Sequence, residues 1–226
     1  MFGLPANTLI NQPLYKKAIF EKFNLKAASK RVKSDARICS SEREQFRPEV
    51  KAAERDRFDA DISKMALVAR ISPATVPALS EGKDIKGFYV LQVELKHQDC
   101  DTKNILLLQK LIPQKIIFAL KYEEQTQFCI FHTRLQQSSW MPTDEATITL
   151  HGLTLDDVWN NIVATIGGLD AEAEETLEEQ IINREQHEKL LRQIETLEKR
   201  CRAEKQTRKR YELHQQIVKL KEELAI

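Results

Sequence analysis

Residues 85–96 read IKGFYVLQVELK, and this stretch decides the fold. It is rich in aromatic and β-branched residues, and successive side chains of a strand point to opposite faces. One face is apolar throughout, whereas the other is apolar at Phe88 and Val90 and turns polar at Gln92 and Glu94. The stretch therefore predicts a central strand that is covered on both faces for most of its length.

The segment after this strand predicts a helix and two further strands. Asp101 can accept hydrogen bonds from the first turn of a helix, and Pro113 ends that helix. Strands are predicted at 115–122 and 127–134, which the polar residues 123–126 join. A strand, a crossover helix and a second strand form a parallel pair, and the hairpin then adds an antiparallel neighbour.

A later helix carries its own start and stop signals. Thr154 with Asp157 three residues on forms a capping box, which predicts a helix up to Ile166. Two glycines follow at once and end that helix. A short strand near 146–150 is expected before it.

On the amino-terminal side, apolar spacing predicts two helices. Pro13 suits a first helical position, and a partial apolar face continues to Phe23. The polar stretch 26–54 predicts weak helix and loop. Residues 55–70 carry apolar side chains at helical spacing, and this helix must end before Pro73. The order of elements predicts the α+β class, with a small mixed β-sheet and flanking helices.

Composition divides the chain into three parts. Residues 1–168 form the predicted α+β domain, within which 34–50 are interpreted as an insertion or a mobile segment. Residues 169–177 are interpreted as an acidic linker, because 170–179 hold six acids and no base. Residues 178–226 predict a helical hairpin or coiled coil.

The C-terminal part carries two narrow apolar seams. In each seam the residues step by four, three and four positions, as the a and d residues of a coiled coil do. The seams are out of phase, which predicts either the turn of a hairpin, which we favour, or a stutter in one helix. A partner, a second copy of the chain or the α+β domain is expected to cover the remaining apolar edge. The seam residues are Leu190, Ile194, Leu197, Cys201, Leu213, Ile217, Leu220 and Leu224.

Between the seams lies a dense group of basic residues, called the tip below. Lys and Arg neutralise phosphates, so this group is a candidate nucleic-acid contact. The alternative interpretation is that basic residues favour a helix C-terminus and a solvated turn. The candidates are Lys199, Arg200, Arg202, Lys205, Arg208, Lys209 and Arg210.

Asp84, Glu94 and Lys96 are the candidate catalytic residues. A carboxylate together with Glu-x-Lys on a strand is how many metal-dependent nucleases hold a divalent cation and activate water. Glu94 and Lys96 share a strand face, but Asp84 lies at the start of the same strand and therefore far from Glu94. The alternative interpretation is a set of charged residues on the rim of a sheet.

Two Cys and His pairs have the ligand types of zinc half-sites, namely His97 with Cys100 and Cys129 with His132. The second pair would face opposite sides of a strand, so we expect a buried thiol and a half-exposed histidine there. The chain also lacks the glycine-rich phosphate-binding motifs and the G-x-S-x-G nucleophile motif. No metal and no cofactor is therefore expected.

Other sequence signals concern the compartment. The four cysteines include no C-x-x-C pair and do not resemble a disulfide framework, which favours a reducing environment. The N-terminus does not resemble a signal peptide, and no apolar stretch approaches the length of a membrane span. We expect a soluble protein of the cytoplasm without membrane contact.

A set of ordered motifs resembles an uncharacterised bacterial family, a domain of unknown function. The motifs are MFGLP at 1–5, PLYKKAIFEKF at 13–23, RFDADI at 57–62, ISPATV at 71–76, FYVLQV at 88–93, LTLDDVWNNIV at 153–163 and RAEKQ at 202–206. This chain departs from the family pattern in residues 34–50, which look like extra sequence, and at Thr207, where a turn-former is expected.

Members of that family, as the resemblance implies, are often encoded beside a DNA methyltransferase and a helicase-type restriction subunit. This setting implies an accessory part in restriction-modification or phage defence, and it assigns no residue a role. We expect a non-enzymatic interaction subunit of a bacterial DNA-processing assembly, with such a methyltransferase or helicase-type subunit as its partner. The alternatives are a metal-dependent nuclease that uses Glu94 and Lys96, and a protein that binds nucleic acid directly.

Overall fold

A computed structural model describes residues 2–16, 19, 50–170, 173 and 175–224. The chain divides into two compact units, Met1–Ala171 and Glu172–Ile226. The described part of the first unit holds a mixed sheet of seven strands with helices, and that of the second holds two helices. The predicted α+β class with a small mixed sheet and C-terminal helices is confirmed.

The elements are numbered in chain order over the described residues, after a short 3-10 helix at Ala6–Thr8. They are β1 (Leu9–Leu14), α1 (Ala52–Asp61), β2 (Ile62–Ile71), β3 (Phe88–Leu95), α2 (Thr102–Leu111), β4 (Ile116–Tyr122), β5 (Gln125–Phe131), β6 (Leu135–Gln137), β7 (Met141–Pro142), α3 (Leu155–Gly167), α4 (Leu177–Ala203) and α5 (Thr207–Leu224).

The sheet has the strand order β1-β2-β3-β4-β5-β6, with β7 beside β5. Strands β3 and β4 are parallel and are connected through α2, as the sequence predicts. The other neighbouring strands pair antiparallel, including the predicted hairpin of β4 and β5. The carboxyl ends of β3 and β4 therefore lie at the same edge of the sheet.

The central strand β3 is covered on both faces over its first half, as its sequence predicts. Its first face, which carries Leu91 and Val93, belongs to the core that also contains Ile105 and Leu108 of α2. On the opposite face the ring of Phe88 meets Trp159 of α3 edge-on, with the ring centroids 5.4 Å apart. Gln92 and Glu94 on this second face are only half-buried, so one end of it is open.

The predicted helix over 55–70 is wrong in its second half. Helix α1 ends at Asp61, and Ile62–Ile71 form β2 between β1 and β3. The stretch ISKMALVARI is apolar on both faces from Met65 to Ala69, so a spacing that suits a helix also suits a buried strand. Pairing with two neighbouring strands satisfies the backbone of β2 and overrides the weak local preference.

Two other local predictions differ from the structure. Pro13 lies in the outermost described strand β1, where a residue without an N–H is tolerated, rather than at a helix start. The chain near 146–150 forms no strand, although the Ile148 N–H donates to the carbonyl of Phe2 at 2.9 Å. Residues 20–49 lie outside the described residues, and with them most of the predicted helix to Phe23, of the 26–54 loop and of the 34–50 insertion.

The start of α3 anchors a distant loop. The predicted capping box of Thr154 and Asp157 is present. The carboxylate of Asp156 accepts hydrogen bonds from the backbone N–H groups of Lys83 at 2.6 Å, Asp84 at 3.2 Å and Ile85 at 2.8 Å. A Cβ atom on Gly82 would lie 2.2 Å from this carboxylate, so only glycine lets the loop approach so closely.

The second unit is a helical hairpin rather than one continuous helix. Helices α4 and α5 are separated by Glu204, Lys205 and Gln206 and pack against each other. The ammonium of Lys221 on α5 lies 2.8 Å from the Glu198 carboxylate on α4. Thr176 and Glu179 form a capping box that begins α4.

Candidate functional site

The two apolar seams lie inside the hairpin. Ile194 of α4 and Ile217 of α5 are buried, and the other seam residues are half-buried. Antiparallel helices with short a and d seams cover one another in this way. Most of the apolar area of the seams is already covered within the hairpin. Their role as a surface for a second chain stays a prediction.

Most charges along α4 are compensated within the helix. Five ion pairs there join residues four positions apart, and such pairs stabilise a helix by about 0.2–0.5 kcal/mol each. They are Arg184–Glu188, Glu185–Lys189, Glu188–Arg192, Glu195–Lys199 and Glu198–Arg202.

Three basic residues of the tip take part in such pairs. The ammonium of Lys199 lies 2.7 Å from Glu195, and the guanidinium of Arg202 lies 3.6 Å from Glu198. On α5, Arg208 lies 3.4 Å from Glu212. We call Lys199, Arg202 and Arg208 the paired cations.

The other four basic residues of the tip are all exposed, and no carboxylate of the described chain forms an ion pair with them. Arg200 lies in the last turn of α4, and Lys205 lies in the connecting turn. Lys209 and Arg210 lie in the first turn of α5. We call Arg200, Lys205, Lys209 and Arg210 the open cations.

The first turn of α5 has the wrong sign of charge for a helix start. It contains Arg208, Lys209 and Arg210 and no acidic residue. The N-terminus of a helix carries partial positive charge, so each cation there costs about 0.3–1 kcal/mol. Preference of bases for a helix C-terminus explains Arg200 and Arg202 at the end of α4, but it does not explain these three.

The hairpin carries the tip at the far end of a long helix. Helix α4 has 27 residues, and at 1.5 Å per residue it is about 40 Å long. The tip therefore lies about 40 Å from Leu177, where α4 begins. Such an arm presents its positive charge away from the residues at which the hairpin starts.

The structure separates Asp84 from Glu94 and gives the side chain of Lys96 a backbone partner. The ammonium of Lys96 donates to the backbone carbonyl of Asp59 at 2.6 Å. Asp84 lies before β3, whereas Glu94 lies six residues beyond the start of that strand at Phe88, or about 20 Å along it. The prediction that Asp84 lies far from Glu94 is confirmed.

Glu94 instead lies between two lysines. It is in cross-strand register with Lys64 on β2 and with Lys121 on the parallel strand β4. Opposite charges on neighbouring strands stabilise a sheet, which supports the interpretation of these residues as a charged rim. Over the residues that the structure describes, no group of three or more His, Cys, Asp or Glu side chains could hold a metal ion.

Two surface depressions flank this end of β3 and share Gln92. The larger has a volume of about 950 Å³, with Lys121, Glu124 and Asp144 in its lining. The smaller has a volume of about 380 Å³ and includes Lys64 and Glu94. Both carry charges of both signs, so neither defines a ligand.

A polar cluster that the sequence did not reveal lies around Asp61, at the junction of α1 and β2. Its carboxylate accepts hydrogen bonds from the Asp101 N–H at 3.1 Å and the Asn104 amide at 2.6 Å, and lies 3.4 Å from His97. Burial, together with this carboxylate, raises the pKa of the nearby Cys100 thiol to about 11. The thiol is therefore protonated at neutral pH, and the cluster joins α1 to the start of α2 rather than supplying a nucleophile.

The second pair of Cys and His residues, Cys129 and His132, also has structural contacts. Cys129 is buried in the core, and burial raises its pKa to about 12. His132 is half-buried, and its Nδ1 accepts a hydrogen bond from the indole N–H of Trp159 at 3.3 Å. The expectation of a buried thiol and a half-exposed histidine is confirmed.

Fold and site together define an α+β protein with a helical hairpin that ends in a cationic tip. None of the helices in the described ranges is long and apolar enough to cross a membrane. The chain belongs to the family described as Domain of unknown function (DUF4391), which matches residues 46–224. The motifs before residue 46 that entered the resemblance lie outside the matched region. No curated protein and no solved structure matches the chain.

Proposed function

We propose that the protein is a non-enzymatic interaction subunit of a bacterial DNA-processing assembly, of the restriction-modification or phage-defence kind. Its partner is a DNA methyltransferase or a helicase-type subunit in the cytoplasm, and the hairpin is the arm that meets the assembly. The observation that carries the proposal is the tip, where three basic residues occupy the first turn of α5 without an acid in that turn.

A turn that only closes a hairpin does not need these residues. Neutral capping residues and acids stabilise the first turn of a helix, whereas cations destabilise it. Thr176 and Glu179 at the start of α4 follow the stabilising pattern within the same hairpin. Basic residues at the start of α5 are expected if they serve to bind a negatively charged partner rather than to stabilise the helix.

The buried seam favours the same conclusion about the kind of contact. Ile194 and Ile217 are covered within the hairpin, so exposing them to a partner would first break the hairpin. The charged outer surface and the tip are accessible without such a change. Association through charged residues is sensitive to salt. Complementary charges mainly raise the association rate and fix the orientation of the two partners.

The test is co-purification of the tagged full chain from its native host. We expect a DNA methyltransferase or a helicase-type subunit to be retained at low salt and lost as salt is raised. The triple variant Arg208→Glu, Lys209→Glu, Arg210→Glu should abolish that retention. Recovery of the chain alone from the native host would overturn the proposal.

A matched control changes the same charge elsewhere. Lys83, Lys86 and Lys103 are exposed residues of the first unit, and their replacement by Glu should leave retention unchanged. Equal loss in both variants would mean that net charge rather than the tip determines association. DNA cleavage with magnesium or manganese that Glu94→Ala abolishes would overturn the non-enzymatic part in favour of the nuclease alternative.

A further inference from the structure

We propose that the tip binds the phosphodiester backbone of nucleic acid, independently of base sequence, through the open cations Arg200, Lys205, Lys209 and Arg210. This inference rests on the proposed function, since it names the ligand that the tip meets within the assembly. It distinguishes four of the seven basic residues from the other three.

Ion pairing separates the two sets. A phosphate that approaches Lys199, at 2.7 Å from Glu195, must compete with that carboxylate and meets its negative charge. The open cations have no such carboxylate among the described residues. They exchange only water and counterions for phosphate, and release of those counterions favours binding.

The open cations come from three consecutive pieces of backbone around one point. Arg200 belongs to the end of α4, Lys205 to the turn, and Lys209 and Arg210 to the start of α5. Neighbouring residues of a helix differ by about 100° in direction, so Lys209 and Arg210 point to different sides. The positive charge thus surrounds the end of the arm, which suits contact with several phosphates at once.

Composition favours nucleic acid over an acidic protein as the ligand. Seven of the twelve residues from 199 to 210 are Lys or Arg, and Cys201 and Ala203 are the only apolar ones. Protein interfaces need an apolar centre and are depleted in Lys, whereas nucleic-acid interfaces are polar and strongly positive.

The aromatic content favours the backbone over the bases. Tyr211 is the one aromatic residue next to the tip, and its hydroxyl accepts a hydrogen bond from Gln215 of the same helix at 2.9 Å. Stacking platforms for bases use several aromatic side chains along a groove. Contact with phosphates alone predicts equal affinity for different sequences.

The experiment measures binding of the full chain to labelled 20-nucleotide probes by fluorescence anisotropy over a range of salt. The probes are two DNA duplexes of unrelated sequence, single-stranded DNA and RNA, with polyglutamate as the acidic control. Four phosphate contacts predict that the logarithm of the duplex binding constant falls with the logarithm of salt with a slope of about −3 to −4. The tightest probe identifies which backbone the tip meets.

Two variants with the same loss of charge then test the assignment. The first is Arg200→Gln, Lys205→Gln, Arg210→Gln from the open cations, and the second is Lys199→Gln, Arg202→Gln, Arg208→Gln from the paired cations. Each removes two arginines and one lysine. The first should reduce the slope by about 2 to 3, and the second by less than about 1. Circular dichroism checks that both keep their helix content.

Each contrary result has a separate meaning. Equal effects of the two variants, a tenfold preference between the duplexes, or equal binding of polyglutamate would overturn this inference and leave the proposed function standing. So would absence of nucleic-acid binding in a chain that still co-purifies with its partner through the tip. Absence of both a co-purifying partner and nucleic-acid binding in the unaltered chain would overturn the inference and the proposed function together.

Discussion

The first unit and the hairpin tip differ in whether their charged groups have partners within the described chain. In the first unit, the carboxylate of Asp156 accepts three backbone hydrogen bonds, and that of Asp61 accepts two and lies beside His97. At the tip, four cations have no carboxylate partner among the described residues. These two carboxylates of the first unit thus hold the fold, whereas the four open cations of the tip are available to another molecule.

The two units also differ in how they bury apolar side chains. The first unit covers both faces of β3, with Phe88 and Val90 fully buried on one side and Leu91 and Val93 on the other. In the hairpin a single layer joins two helices, and only Ile194 and Ile217 of the seam are buried. We therefore expect substitutions in the first unit to cost more than equivalent ones in the hairpin.

The largest expected effect is that of Trp159→Ala in the first unit. The indole is completely buried, meets Phe88 edge-on and donates its N–H to His132. Its removal should lower the free energy of unfolding by about 3–5 kcal/mol, measured by denaturant titration. Trp140→Ala is the control, because that side chain is only half-buried. Similar losses in both variants would contradict the assignment of Trp159 to the core.

The next effect is that of Ile217→Ala in the hairpin, which should cost about 2 kcal/mol. Both tryptophans belong to the first unit, so fluorescence follows that unit while far-ultraviolet circular dichroism also follows the hairpin. We expect the midpoint of the circular dichroism transition to fall and the fluorescence midpoint to stay. The exposed neighbour Val218→Ala should change neither. A matching fall in fluorescence would show that the two units unfold together.

A smaller effect is expected for Asp156→Ala, which leaves three backbone N–H groups of the loop 83–85 without their acceptor. The cost should be about 1–3 kcal/mol, and amide hydrogen exchange at Lys83 and Ile85 should become faster. Asp156→Asn keeps an acceptor oxygen and should recover part of the loss. Unchanged exchange in the Ala variant would mean that the loop is held by other contacts.

The smallest effect is a pH dependence at the start of α4. Hydrogen bonds from the backbone and side chain of Thr176 lower the pKa of Glu179 from its usual 4.5. Because the folded pKa is lowered, this stabilisation is present above pH 4.5 and is lost as the pH falls through the folded value. Carbon-detected NMR titration should show the lowered pKa, and Thr176→Ala should raise it towards 4.5.

Controls for this titration use the same helix pair. Glu179→Gln should remove the acid-dependent part of the loss of helix signal, whereas the exposed Glu222→Gln should not. If the acid response of the Glu179→Gln variant matched that of the unaltered chain, the capping box would contribute nothing to the pH dependence of the hairpin.

Local signals in the sequence were sufficient for the stretch from β3 to β5 and for α3. The alternation in β3, the cap at Asp101 and the capping box at Thr154 each lie within a few residues and predict their elements correctly. Strand β2 could not be recognised, because Ile62 and Met65 have helical spacing and the strand is buried on both faces, so it shows no alternation of apolar and polar residues. Only the pairing with β1 and β3 decides between them.

The candidate site could also be predicted only in part, because some of its features depend on the folded structure. The seven basic residues of the tip are visible in the sequence, but their division into open and paired cations depends on where each helix begins. Lys199 and Arg202 find carboxylates four residues earlier only because α4 continues to Ala203. The cluster around Asp61 was hidden, because it joins residues about 40 positions apart that only the folded sheet brings together.

The irregular backbone of the outermost described strand affects how readily the sheet can pair with other chains. Strand β1 contains Pro13, a shift in register between Leu9 and Gln12, and Asn11 with a φ of 49°. Each of these features interrupts the row of backbone donors and acceptors that a passing β-segment would need in order to attach. This edge of the sheet is thereby a poor template for aggregation, and a protein that remains dispersed at high concentration can keep its cationic arm accessible.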